Sequence, residues 1–190
     1  TYKIRVTTGV KDTAGNTLSS QYETSSGFST LFINQFGTSS DDYGYGIAVD
    51  NSNNIYVTGY TSGGLDGNTN AGSEDIFLIK YNSSGIKQWT KQLGTASKDI
   101  GEDVVVDSEN NIYVTGQTNG DLDNITNSGW GDIFLVKYNS SGTKQWTQLL
   151  GTTSNDFAYG VTVDNSNNIY LTGYTTSVFE NTTGIGGRDT

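Results

Sequence analysis

The stretch VDNSNNIYVTG, residues 49–59, decides the fold because the chain repeats it. It returns as VDSENNIYVTG at 106–116 and as VDNSNNIYLTG at 163–173, so the interval between copies is constant. The surrounding sequence repeats with it, since segments 37–93 and 94–150 align without a gap and are identical at 36 positions. A fixed period of about 57 residues is typical of propellers and solenoids. The three copies are therefore either three binding sites or three structural units.

Each complete repeat contains four segments with the composition of β-strands. In the first repeat they are residues 46–50, 55–61, 75–82 and 86–93, rich in β-branched and aromatic residues and separated by Gly, Asn and Ser. The third segment is apolar on both faces at IFLI, which predicts a sheet covered on both sides. We therefore predict an all-β fold, a β-propeller-like array of four-stranded antiparallel blades. The array is incomplete in this chain, because closed propellers use about 4–8 blades.

The composition argues against several classes of function. The chain of 190 residues has a formal net charge of −10 and contains neither Cys nor His. Nucleic acids and anionic membranes need a basic face, and a membrane span needs about 20 apolar residues, so we predict neither nucleic-acid binding nor membrane insertion. A chain without thiolates or imidazoles lacks a thiolate nucleophile and the commonest general base, which predicts no catalytic activity of its own.

The pattern GT..D..G..VD..NNIYVTG.T, followed by DIFL.KYNSSG.KQWT..LG, resembles the SBBP-type β-propeller repeat of bacterial surface and secreted proteins. The resemblance covers residues 37–190 and implies a propeller-like fold and an extracellular setting, without a single activity. It divides the chain into repeats at 37–93 and 94–150 and a truncated repeat at 151–190. Residues 28–36 would form the last strand of a preceding blade.

Residues 1–27 lie outside the repeat. Their start, TYKIRVTT, alternates Tyr2, Ile4, Val6 and Thr8 before a turn at DTAGN. This stretch resembles the C-terminal strands of bacterial Ig-like domains, which implies that residues 1–27 are the tail of such a domain. The alternative is an extra strand that pairs with an open edge of the propeller.

Acidic residues recur in register and raise the question of a metal site. Asp50, Ser52 and Asn54 have the spacing of a calcium loop, but its Gly and closing Glu are absent. Residues repeated in every blade are expected at separate, rotated positions and not at one convergent site. We predict that these side chains accept hydrogen bonds from backbone amides and fix turns. The recurring acids are Asp42, Asp99 and Asp156; Asp50, Asp107 and Asp164; and Asp75, Asp132 and Asp189.

The repeats diverge most in the loop between their second and third strands, residues 62–74, 119–131 and 176–188. A divergent loop on a repeated scaffold is the expected place for recognition. Trp130 has no aromatic counterpart in the other copies and can stack on a sugar, anchor a partner or cap its own blade. The predicted ligand-binding residues are Trp130, Asp66, Asn68, Asn70 and Asp123. The calcium candidates are Asp66, Asn68, Asn70 and Asp75.

These observations favour an extracellular or cell-surface structural or interaction module of a bacterium: a scaffold, adhesin segment or filament subunit. Its predicted partners are other copies of itself, further repeats of a longer chain, and surface glycans or proteins. The alternative is a glycan- or calcium-dependent binding propeller that uses the variable loops, with calcium as the one cofactor considered. Because a partial array exposes sheet edges, we expect the isolated chain to self-associate.

Overall fold

The computed structural model describes residues 34–179 and the backbone of two short strands, β1 (Arg5–Val6) and β2 (Tyr22–Glu23). The chain divides into two units, Thr1–Gln35 and Phe36–Thr190. In the first unit, β1 and β2 pair antiparallel.

The assignment of residues 1–27 to an Ig-like domain rests mostly on residues outside the described part, and it stays a prediction. The same holds for the strand at 28–36. Of that segment the structure describes only residues 34–36, which are not in a strand. Residues 180–190 of the third repeat also lie outside the described part.

The described part of the second unit is built from antiparallel strands and two 3-10 turns, Leu65–Gly67 and Leu122–Asn124. Each predicted segment of the repeats forms a strand. The strands are β3 (Asp42–Val49), β4 (Ile55–Thr61), β5 (Asp75–Tyr81), β6 (Lys87–Leu93), β7 (Asp99–Val106), β8 (Ile112–Thr118), β9 (Asp132–Tyr138), β10 (Lys144–Leu150), β11 (Asp156–Val163) and β12 (Ile169–Thr175).

The strands form three sheets that follow the repeats, and this confirms the predicted blades. Blade 1 has the order β3-β4-β5-β6, blade 2 the order β7-β8-β9-β10, and blade 3 pairs β11 with β12. All pairings within the blades are antiparallel. Consecutive blades are also joined by parallel bridges between Glu74 and Lys98 and between Gly131 and Asn155.

The first strand of each blade is longer than predicted. In blade 1 it begins at Asp42 and not at residue 46, because the glycine-rich DYGYG pairs with the end of β4. The register shifts between Gly44 and Gly46, so Tyr45 is an extra residue in a β-bulge. Blades 2 and 3 carry the same shift at the equivalent positions.

The core lies between the blades. Ile76 and Leu78 of blade 1 pack with Val104 and Phe134 of blade 2 in one buried cluster. A second cluster joins blade 2 to blade 3 and includes Val161. The IFLI segment of β5 is buried on both faces, as its composition predicted. In the described part of the chain, no helix has the length and apolar character needed to cross a membrane.

Candidate functional site

The turn after the first strand of each blade is organised by one aspartate. Asp107 Oδ1 accepts hydrogen bonds from the backbone N–H of Glu109 at 2.9 Å and of Asn111 at 2.8 Å. Its Oδ2 accepts from the Asn111 amide at 2.8 Å and from the Tyr113 hydroxyl at 3.0 Å. Asn110 completes the turn with a left-handed backbone at φ 63°, which Asn tolerates better than most residues.

Asp50 and Asp164 repeat this arrangement with four hydrogen bonds each. The predicted turn-fixing role is therefore confirmed. Burial tends to raise the pKa of the Asp107 carboxyl, but the hydrogen bonds from Asn111, Tyr113 and Glu109 outweigh it and hold the pKa below its usual range. The carboxylates stay charged, and their oxygens are already occupied as acceptors.

The three turns line one cavity of about 230 Å³. Repeated residues were expected at separate positions, and although each aspartate binds groups of its own turn, the three turns lie side by side. The first strands of successive blades pack against one another, so the turns that follow them lie side by side. The Ser108 hydroxyl even donates to Asn167 Oδ1 across two turns, at 3.3 Å. The lining residues are Val49, Asp50, Asn51, Val106, Asp107, Ser108, Val163, Asp164 and Asn165.

The acids of the variable loops are bound to their own blades. Asp66 has a left-handed backbone at φ 52°, and its carboxylate accepts hydrogen bonds from Lys87 Nζ at 2.5 Å and from the Thr90 hydroxyl. The hydrogen bonds from Lys87 and Thr90 lower the pKa of Asp66. Asp123 holds the same position in blade 2, with φ 54° and with Lys144 and Thr147 as partners. Both residues fasten the 3-10 turn to the fourth strand of their blade.

The predicted calcium candidates each have a different partner. The Asn68 amide donates to Leu65 O at 2.8 Å, and Asn70 Oδ1 accepts from Gly72 N at 3.0 Å. Asp75 Oδ2 accepts from Ala71 N at 2.7 Å and from the Gln92 amide at 2.9 Å. Within the described residues, no group of three or more acidic side chains is placed to hold a metal ion.

Trp130 projects from the variable loop of blade 2, and 77% of its surface is exposed. Of the roles considered from sequence, capping its own blade does not fit this exposure. The side chain is free to stack on a flat ligand or to enter a partner.

The outer sides of the first and last blades expose positions that are buried inside the array. Ile47 of blade 1 is 67% exposed, whereas its counterpart Val104 in blade 2 is 4% exposed. Tyr170 of blade 3 is 53% exposed, whereas its counterpart Tyr56 in blade 1 is fully buried, in part by Trp89 of a fourth strand that the described part of blade 3 does not include. We call the side of blade 1 that carries Ile47 and Val49 the front face. The side of blade 3 that carries Tyr170 is the back face.

The model of the SBBP β-propeller repeat family matches residues 31–66, 88–123 and 145–180, which together are more than half of the chain. The chain belongs to the SBBP family. The three matches are spaced by the same interval as the blades, and the second and third SBBP matches each run from the last strand of one blade into the first two strands of the next.

Similar proteins include an uncharacterized WD repeat-containing protein of Acanthamoeba polyphaga mimivirus, 28% identical over 196 residues. Another is the regulatory protein FlaEY of Caulobacter vibrioides, 26% identical over 133 residues. The alignments cover 81% and 63% of this SBBP chain, but only 14% of each relative. The chain therefore spans about one seventh of the length of these relatives.

Sequence reasoning missed the two end faces of this SBBP array. The signal that could have found them was the repeat itself, since Ile47 is equivalent to the core residue Val104 and Tyr170 to the core residue Tyr56.

Proposed function

We propose that this chain is an extracellular or cell-surface structural and interaction module whose end blades bind further copies of the same repeat. The exposure of the front and back faces carries this proposal. The front face has the chemistry of a blade surface that elsewhere in the chain is covered by a neighbouring blade. The tyrosine of the back face is covered, at its equivalent position in blade 1, both by blade 2 and by the third and fourth strands of its own blade. The bacterial cell surface as its location is part of the proposal, as the resemblance of the repeat to that of surface and secreted proteins implies.

The front face fits the back of another blade. Inside the chain, the surface of blade 2 that contains Val104 packs against Tyr56 and Ile76 of blade 1. Ile47 and Val49 offer the equivalent apolar surface on blade 1, and both are exposed. A further blade that presents a Tyr56-type surface to this face therefore makes the contacts that blade 1 makes with blade 2.

The back face is the complement of the front face. In blades 1 and 2 the equivalent tyrosine is flanked by a tryptophan and a lysine, as Tyr56 is by Trp89 at 6.2 Å and by Lys80 Nζ at 5.2 Å. Because the two faces differ, they bind head to tail, and contacts of this kind close into rings or extend into filaments.

We expect the isolated chain to form concentration-dependent assemblies larger than its 20.4 kDa mass. Replacing Ile47 with aspartate places a charge on the front face. It should raise the dissociation constant of the assembly at least tenfold, because desolvating an unpaired charge is costly. Light scattering after size-exclusion chromatography measures the mass of the wild-type chain and of the variant at each concentration. The Ile86→Asp variant is the matched control, since Ile86 is 62% exposed in the β5–β6 turn. A mass of one chain over a wide concentration range would contradict the proposal.

Glycan binding by the variable loop is a second candidate, and the exposed indole of Trp130 supports it. Stacking on a sugar ring needs an accessible aromatic face, which Trp130 has and the other copies lack. We expect Trp130→Ala to abolish any signal on a glycan array, with calcium or with chelator present, and Trp130→Phe to retain part of it. An array without hits for the wild-type protein removes this candidate and leaves the structural proposal standing.

A further inference from the structure

Three tyrosine rings form an exposed group at one end of blade 1. The ring centroids of Tyr43 and Tyr60 are 5.1 Å apart, and their planes are 24° from parallel. The ring of Tyr45 lies 6.5 Å from that of Tyr43 and 6.0 Å from that of Tyr60. Tyr43 and Tyr45 are each 50% exposed. We call these three residues the tyrosine cluster.

The strand pairing places the tyrosine cluster on the side of blade 1 that faces blade 2. Tyr43 is the Cα partner of Tyr60, and Tyr60 is the partner of Ile76, which packs in the core shared with blade 2. Directly opposite residues of antiparallel strands point to the same side of a sheet. Tyr45 is the extra residue of the β-bulge, which turns its side chain toward the other two rings. The cluster therefore lies at the junction of the two blades and not on the front face.

Two acidic side chains of blade 1 stand beside the tyrosine cluster. Asp41 comes two residues before Tyr43, and Glu74 comes two residues before Ile76, the strand partner of Tyr60. Residues two apart on an extended segment share a side, so both acids face blade 2. Burial raises the pKa of Tyr60, and the two neighbouring tyrosines and the charges of Glu74 and Asp41 raise it further.

Glu102 supplies a third carboxylate from blade 2. It occupies the position of Tyr45 one repeat later, and the first strands of the two blades pack against each other. A Cβ atom placed on Gly46, next to Tyr45, would lie 2.8 Å from the backbone of Asp103, next to Glu102. Burial raises the pKa of Tyr45, and the charge of Glu102 raises it further. The carboxylate therefore lies within electrostatic reach of the ring.

Lys98 offsets part of the negative charge around the rings. Its Nζ lies 3.9 Å from Glu74 Oε1. Burial raises the pKa of Glu102, and the charge of Lys98 opposes that shift. Because one lysine stands among the three acids, the surroundings of the cluster keep a net negative charge. The whole chain is acidic as well, with a formal net charge of −10.

Blade 3 repeats the three rings but not the acids. Its ring centroids lie 4.9 Å and 5.8 Å apart in the two contacts that they make. In the sequence, Asn155 stands at the position of Asp41. Arg188 stands at the position of Glu74. Blade 2 has no aromatic residue at the three positions, so blade 1 alone among the repeats combines the rings with these acids. The equivalent rings of blade 3 are those of Phe157, Tyr159 and Tyr174.

We propose that the tyrosine cluster binds the guanidinium group of an arginine on a partner protein. The rings pack on one another and enclose no cage, so they present a stacking surface that a planar cation covers. A guanidinium stacks on aromatic faces and forms paired hydrogen bonds with a carboxylate such as that of Glu102. The chain already uses a cation over a tyrosine, since Lys80 Nζ lies 5.2 Å from the ring centroid of Tyr56. The site does not depend on the head-to-tail assembly, which uses the front face.

Titration of the chain with the peptide Gly-Arg-Gly-Arg-Gly, followed by NMR, tests the proposal. We expect Tyr43→Ala/Tyr45→Ala to raise the Kd about tenfold, because it removes two exposed cation–π contacts. Glu102→Gln should raise the Kd as well, and Tyr45→Phe, which keeps the ring, should not. Gly-Lys-Gly-Lys-Gly has the same charge and should bind more weakly, because an ammonium group cannot stack as a plane.

Tyr159→Ala is the matched control, because it removes the equivalent ring of blade 3, where the acids are replaced. It should leave the Kd unchanged, and circular dichroism checks that each variant is folded. A wild-type chain that does not bind the arginine peptide overturns the proposal. Equal binding of the lysine peptide, or a Kd that Tyr43→Ala/Tyr45→Ala does not change, also overturns it, because the attraction is then only that of an acidic chain. An equal loss in Tyr159→Ala overturns it too, because rings without acids would then suffice.

Discussion

Replacing Phe134 with alanine is expected to lower the free energy of unfolding by about 3–5 kcal/mol. The ring of Phe134 is fully buried between blades 1 and 2, in one cluster with Ile76, Leu78 and Val104. Its removal loses the transfer free energy of the ring and leaves a cavity that the neighbouring strands fill only in part. Urea unfolding followed by far-ultraviolet circular dichroism measures the loss.

The control for this variant is Ile86→Ala, which removes an exposed apolar side chain from the β5–β6 turn. We expect it to change the free energy of unfolding by less than about 0.5 kcal/mol. If Phe134→Ala lost no more than Ile86→Ala, blades 1 and 2 would not share a packed core, and the stacking of the sheets would be wrong.

The sequence predicts the blades well because the information is local and repeated. Alternation and β-branched residues indicate the strand at IYVTG, and apolar residues on both faces indicate the buried strand at IFLI. Both signals depend only on the pleat of a single strand, and both recur one repeat later. The turn role of Asp107 could also be predicted, because the groups it binds lie two to six residues further along.

The remaining features depend on how one blade is rotated against the next, and the spacing within one repeat does not encode that. The convergence of Asp50, Asp107 and Asp164 on one cavity follows from the packing of the first strands side by side. The parallel bridge between Gly131 and Asn155 likewise depends on how two blades pack. From sequence alone Asp50, Asp107 and Asp164 read as separate turn residues, since each does accept backbone hydrogen bonds.

The exposure of Trp130 also had to come from the structure. A tryptophan in a polar loop has a large apolar surface that can pack against its own blade or stay exposed to a partner. The neighbouring residues in the sequence are compatible with both. The tertiary position of residues 119–131 decides between them, and it leaves the indole in solvent.

The glycine that ends the repeated motif should tolerate substitution as poorly as the buried core residues do. Gly116→Ala is expected to cost about 3 kcal/mol, at the upper end of overpacking effects, because a Cβ atom on Gly116 would lie 1.9 Å from Ile100 O. The bulge between Gly101 and Asp103 brings that carbonyl onto β8, and backbone cannot move aside as a flexible side chain can. Denaturant unfolding at neutral pH measures the loss.

Gly173→Ala places the same atom in blade 3, where it would lie 1.9 Å from Phe157 O. In the described part of the chain β12 pairs only with β11, so it can shift away from the clash, and we expect a smaller loss than for Gly116→Ala. Equal losses would mean that the central position of β8 adds nothing to the cost. A Gly116→Ala variant as stable as the wild type would exclude the bulged register, and with it this explanation of why every copy of the motif ends in glycine.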